Sequence, residues 1–137
     1  MQAEEVLKRY ANQERDFSGA SLQNAQLEQA RLTGISLKGA DLRGANLCGA
    51  WLTNADLREA NLERANLYDA SFYCTNLTSA NLKAAEMFNT TISFADLTQA
   101  NLKEAKSFRV GLKSHTQGTI FENTIMPDGT VETSYWV

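Results

Sequence analysis

One proline, one histidine and two cysteines are all that 137 residues contain of these types. Each scarcity excludes something. Pro127 stands alone near the end, so no proline interrupts a regular backbone before it. A nucleophilic triad needs a histidine base, and His115 is the only candidate. It falls among Lys113, Ser114 and Thr116, a context that reads as a surface loop. Cys48 and Cys74 have neither CxxC spacing nor metal-ligand spacing, which fits two free thiols in a reduced compartment. No GxGxxG, GxxxxGK[ST], HExxH or GxSxG occurs. No enzyme activity, cofactor or metal is therefore expected.

Charge and hydropathy are equally restrained. Lys and Arg number 13 against 16 Asp and Glu, a formal net charge of −3. That balance lacks the basic footprint of a nucleic-acid binder, so no nucleic-acid partner is expected. No apolar run approaches the length needed to span a bilayer, so no membrane partner is expected either. The opening MQAEEVLKRYANQERDF is charged and has no apolar stretch of signal-peptide type, which makes the cytoplasm the expected compartment.

What the sequence does have is a period of five. In GADLRGANLCGAWLTNADLREANL, residues 39–62, Ala and Leu two apart return at every fifth position. From residue 17 to residue 107 the steps of five give 19 central positions, and 18 of them are large and apolar. They include Leu42, Leu47, Leu52, Leu57, Leu62, Leu67, Phe72 and Leu77, the expected core. Two positions earlier Ala occurs in 15 of the 19 units, the exceptions being Arg15, Ile35, Thr75 and Thr90. A helix would rotate successive centres by about 140°, so no apolar stripe would form. A flat strand would alternate them between faces. A backbone that turns a corner every five residues points every centre, with its small Ala, into one interior. Four sides close a square coil of 20 residues, and successive coils stack at a spacing of about 4.8 Å.

These Ala-(Asp/Asn)-Leu-x-x units resemble the pentapeptide-repeat family over residues 15–109. The flanks LKRYANQERDFSGASL and IFENTIMPDGT are similar to those of members common in cyanobacteria. The resemblance implies an all-β solenoid, a right-handed quadrilateral parallel β-helix, of about five coils at this length. A solenoid needs its ends covered. Residues 1–14 are the expected N-terminal cap, a short helix with Val6, Leu7 and Tyr10 on one face. Residues 15–109 are the repeat domain. Residues 110–137 are the expected C-terminal capping tail, a loop over 110–118 and two strand-like runs around Pro127-Asp128-Gly129. Ile120, Phe121, Ile125, Met126, Tyr135 and Trp136 supply its apolar surface.

Function must then lie in the outward positions. Asp and Asn beside the centres are expected to bond nearby backbone at the corners. Lys38, Arg43, Arg58, Arg64, Lys83 and Lys103 mix with Asp41, Asp56, Glu59, Glu63, Asp96 and Glu104, which reads as a solvated surface. Cys48, Trp51, Tyr68, Tyr73, Phe88, Phe94 and Phe108 break the polar rule, and the 20-residue stacking gathers them around one corner. That corner is the candidate partner surface, with cover by the C-terminal tail as the competing reading. A non-catalytic scaffold that binds another protein is the function expected, as a monomer or weak homodimer. The family also contains inhibitors of DNA gyrase that resemble B-form DNA in shape and charge. This chain departs from that pattern by its nearly balanced charge. An ice-binding face would need a regular threonine array, and the column Thr33, Thr53, Tyr73, Ser93 breaks after two members.

Overall fold

The computed structural model describes residues 1–108 and 116–136. Parallel bridges join residues 20 apart along four ladders. The first face runs Asp16–Ser36–Asp56–Asn76–Asp96, and the second Ser21–Asp41–Asn61–Asn81–Asn101. The third runs Gln26–Asn46–Asn66–Glu86–Lys106, and the fourth Arg31–Trp51–Ser71–Thr91. Between ladders the backbone turns at the two residues that follow each centre.

The hydrogen bonds explain the consensus position by position. In the unit around Leu62, the amide of Asn61 donates to Ala40 O (2.9 Å) in the layer before. Leu62 N and Arg64 N donate to Asn81 O (2.7 Å) and Lys83 O (2.9 Å) in the layer after. Ala65 N closes the corner on Leu62 O (3.0 Å). One amide of the five remains, that of Glu63, and Asn61 Oδ1 accepts it at 3.1 Å. Asp or Asn in front of the centre thus satisfies the one N–H that stacking leaves over. With this one, the bond occurs ten times, all on the first three faces. The second corner residue is left-handed, with Gly at 39, 44 and 49 and non-glycines such as Arg64 (φ 58°) elsewhere.

The interior is one continuous column of side chains. Leu42, Leu47, Leu52, Leu57, Leu62, Leu67, Phe72 and Leu77 are all fully buried. Each contributes about 2–3 kcal/mol of apolar burial. The exceptions to alanine have specific reasons. Thr75 Oγ1 donates to Leu52 O at 2.6 Å and Thr90 Oγ1 to Leu67 O at 2.8 Å, so both buried hydroxyls are satisfied. Arg15 stands at the first layer, where its guanidinium lies 3.8 Å from the centroid of the Tyr10 ring and donates to Tyr10 O and Glu14 O.

Helix α1, Ala3–Ala11, packs on that first layer with Val6 buried and Tyr10 half-buried. Tyr10 Oη donates to Thr33 O at 2.7 Å. Leu7 differs from expectation: it is 39% exposed, because a step of one residue turns it about 100° away from Val6. Glu4 and Glu5 in the first turn and Lys8 and Arg9 in the last match the helix dipole.

At the other end the register slips and then resumes. Ser107 holds a centre position in the sequence but is exposed with φ 55°, and Phe108 turns inward in its place, 2% exposed. Strand β1, Thr119–Ile125, rejoins the ladders: Ile120 bridges Asp96 and Ile125 bridges Asn101, 24 residues apart instead of 20. Phe121 and Met126 fill centre positions, at 1% and 2% exposure. Thr119 and Thr124 repeat the threonine device, donating to Ile92 O (2.8 Å) and Leu97 O (2.6 Å). TIFEN and TIMPD are therefore two further repeat units. Strand β2, Val131–Trp136, then pairs antiparallel with β1. Its Trp136 packs on Phe121 with ring centroids 4.6 Å apart. His115 and the expected boundary at 109/110 lie outside the described residues.

Candidate functional site

The fourth face differs chemically from the other three. Its ladder holds Arg31, Trp51, Ser71 and Thr91, with no Asp or Asn among them. The corner amides of Thr33, Thr53 and Tyr73 consequently have no side-chain cap, and no protein acceptor among the described residues takes their place. On the other faces ten such amides meet an Asp or Asn oxygen, and the units with Ser21, Gln26, Ser36 or Glu86 in that slot leave theirs uncapped, so the fourth face is the one on which every unit lacks the cap.

Aromatic rings border this face on both sides. In the turns before the ladder, Tyr68 and Phe88 stack with centroids 4.9 Å apart, tilted by 30°. In the turns after it, Tyr73 and Phe94 meet edge to face at 5.5 Å. Between them Trp51, 52% exposed, lies under the Arg31 guanidinium, 5.0 Å from the ring centroid. The expected single corner is therefore corrected to one face with two aromatic borders. The reason is geometric: residues 68 and 88 precede the ladder strand, whereas 73 and 94 follow it. No ring contact joins the two borders.

Phe108 does not belong to this surface. It is buried, with its ring edge-on to Phe121 at 6.4 Å, because the slip at Ser107 turned it inward. Cys48 is half-buried in the column of Tyr68, and its thiol is raised above the ordinary value by burial, with Glu28 and Asp69 adding. Cys74 is exposed, and both cysteines are free. Phe94 partly meets the tail. A Cβ on Gly118 would lie 2.4 Å from its ring, so glycine there makes room for the aromatic. Tyr68, Tyr73 and Phe94 nevertheless remain 40%, 42% and 45% exposed. The sequence signals the rings directly, whereas the bare amides follow from the coil geometry, which leaves one corner N–H per unit for the slot residue to cap.

The remaining faces offer less. Arg43 pairs with Asp41 and Arg58 with Asp56, each at 2.6 Å, and Lys106 pairs with Glu86 at 2.9 Å. These pairs break up any continuous acidic column. No group of three or more potential metal ligands occurs among the described residues.

Comparison with known proteins places this architecture. The profile described as pentapeptide repeats matches in eight copies, over residues 16–53, 49–83 and 75–104. The chain belongs to the pentapeptide-repeat family. Among solved structures, the pentapeptide-repeat protein alr5209 from Nostoc PCC 7120 is 35% identical with a TM-score of 0.68. That match covers 74% of this chain and 82% of the other. AT2G44920, from the Arabidopsis thaliana thylakoid lumen, is 33% identical with a TM-score of 0.56, covering 87% and 80%. Rfr23 from Cyanothece 51142 is 25% identical with a TM-score of 0.61, covering 90% and 99%. The likeness to cyanobacterial members is thus seen in two of the three. No curated protein sequence matches the chain. No helix among the described residues is long and apolar enough to cross a membrane.

Proposed function

We propose that this pentapeptide-repeat protein is a non-catalytic scaffold that binds a protein partner through its fourth face. In this reading the chain is a right-handed square β-helix of about five coils, closed by α1 at one end and the β1–β2 hairpin at the other. Residues 1–14 serve as the first cap, 15–109 carry the binding face and 110–137 finish the stack. The cytoplasm is the proposed compartment, and neither nucleic acid nor membrane is a proposed partner.

The observation that carries the proposal is the coincidence, on one face, of exposed rings and uncapped amides. Aromatic side chains dominate interface energetics. The uncapped N–H groups of Thr33, Thr53 and Tyr73, in the turns beside this ladder, offer a partner hydrogen bonds that need no displacement of a protein acceptor. Balanced charge and internal ion pairing weigh against a DNA mimic, which would need phosphate-like columns of acid.

The test compares the wild-type chain with Trp51→Ala/Tyr73→Ala as bait in extract of the native cell. Both should show the same far-UV circular dichroism, since neither side chain is buried. A protein retained by the wild type and released by the variant is the expected result. Equal retention by both baits would overturn the assignment of this face. In a gyrase supercoiling assay the protein should leave the reaction unchanged.

A further inference from the structure

We infer that two copies of this chain pair antiparallel through the free edge of β2, in one register centred on Thr133. This surface is separate from the fourth face. β1 is paired on both sides, with Asp96 and Asn101 of the ladders and with β2. Among the described residues β2 is paired on one side only. Trp136 O accepts from Gly118 N, and Thr130 O accepts from Met126 N at 2.7 Å, so these even-numbered residues face β1. By the two-residue alternation of a strand, the amides and carbonyls of Val131, Thr133 and Tyr135 point outward.

Exposed edges are ordinarily guarded by lysine, proline or an inward charge that a new strand would have to bury. β2 reads VETSYW and contains no lysine and no proline. Its one charge, Glu132, is turned back into its own strand, accepting from Trp136 Nε1 (3.1 Å) and Ser134 Oγ (2.6 Å). Nothing on this edge therefore repels a second strand.

The side chains specify which strand fits. Val131 and Tyr135 are 64% and 59% exposed, and they stand symmetrically about Thr133. Ile125 opposes Val131 and Ile120 opposes Tyr135 across the β1–β2 pair. A two-fold axis at Thr133 sets Val131 of one copy against Tyr135 of the other. The row Ile120–Tyr135 then continues into Val131 and Ile125 of the second copy, as an unbroken apolar stripe across four strands. Glu132 falls opposite Ser134, so like charges do not meet. Aromatic against β-branched pairs are favourable cross-strand neighbours. About six backbone hydrogen bonds form, with a contact area at the small end of specific interfaces, so the dimer is weak and concentration-dependent.

The test uses the full chain with Cys48→Ser and Cys74→Ser, which removes the native thiols. Sedimentation equilibrium should show a monomer–dimer equilibrium that Tyr135→Lys weakens at least about tenfold, with thermal midpoint unchanged. Directly opposed residues of an outward-bonded pair have Cα atoms about 5.5 Å apart, within disulfide reach. Thr133→Cys should therefore cross-link to itself under oxidation. Val131→Cys and Tyr135→Cys should each fail alone and cross-link when mixed. A chain that stays monomeric at several hundred micromolar overturns the inference. So does Val131→Cys cross-linking as fast as Thr133→Cys, which would mean a different register or random collision. An edge that instead takes only an unrelated extended peptide, with no self-association, also overturns it.

Discussion

Thr90 offers the sharpest check on how the interior is built. It occupies a position that alanine fills in most units, it is fully buried, and its Oγ1 donates to Leu67 O at 2.8 Å. Leu67 O also accepts from Ala70 N at 3.0 Å, so losing the threonine does not orphan the carbonyl. Thr90→Ser keeps the bond and removes one methyl, a loss of about 1 kcal/mol. Thr90→Ala removes the methyl and the bond together, about 2 kcal/mol in all. Thr90→Val keeps the shape and loses the donor, at about 1 kcal/mol, with extra crowding where a methyl replaces a hydroxyl against the carbonyl. Urea unfolding followed by circular dichroism reads these differences, and each kcal/mol should move the thermal midpoint by roughly 3 °C for a chain of this size. If Thr90→Ser costs as much as Thr90→Ala, the hydroxyl contributes nothing and the threonine device is refuted. Thr75, with the same bond to Leu52 O at 2.6 Å, should give the same order of costs.

Three other outcomes follow from the packing and the charges. Leu62→Ala should cost about 2–5 kcal/mol, at the upper end because bridged layers on both sides prevent collapse, and Leu62→Asp should abolish the circular dichroism of the folded state. Phe108→Ala should lower stability by about 3–5 kcal/mol in urea titration, while partner capture by the fourth face stays unchanged. Hydrogen bonds from Arg43 hold the Asp41 carboxyl below its ordinary range against a smaller opposing effect of burial, and Arg58 lowers Asp56 likewise. The folded state then binds these protons less readily than the unfolded chain, so their contribution is present above about pH 4 and lost as the pH falls below it. Asp41→Asn/Asp56→Asn keeps the corner bonds. Thermal scans should show it less stable than the wild type at pH 7, with the difference narrowing steadily as the pH falls from about 4 towards 2.

The sequence by itself determined the repeat. Ala and Leu at a period of five fit neither a helix nor a flat strand, so the cornered coil, its inward Leu62 and Phe72 and its outward rings were legible without coordinates. Tertiary structure decided what depends on neighbours 20 or more residues away. The slip at Ser107 that buries Phe108 breaks the five-residue step, which the sequence alone would have continued. TIFENTIM reads as an ordinary strand, and its place as two further units emerges only when Ile120 and Ile125 align with Asp96 and Asn101. The two aromatic borders look like one cluster until the turns on either side of Trp51 are located. The uncapped amides of the fourth face were hidden most deeply. Arg31, Trp51, Ser71 and Thr91 are legible in the Asp/Asn slot, but what that slot does is decided by the one corner amide that stacking leaves over.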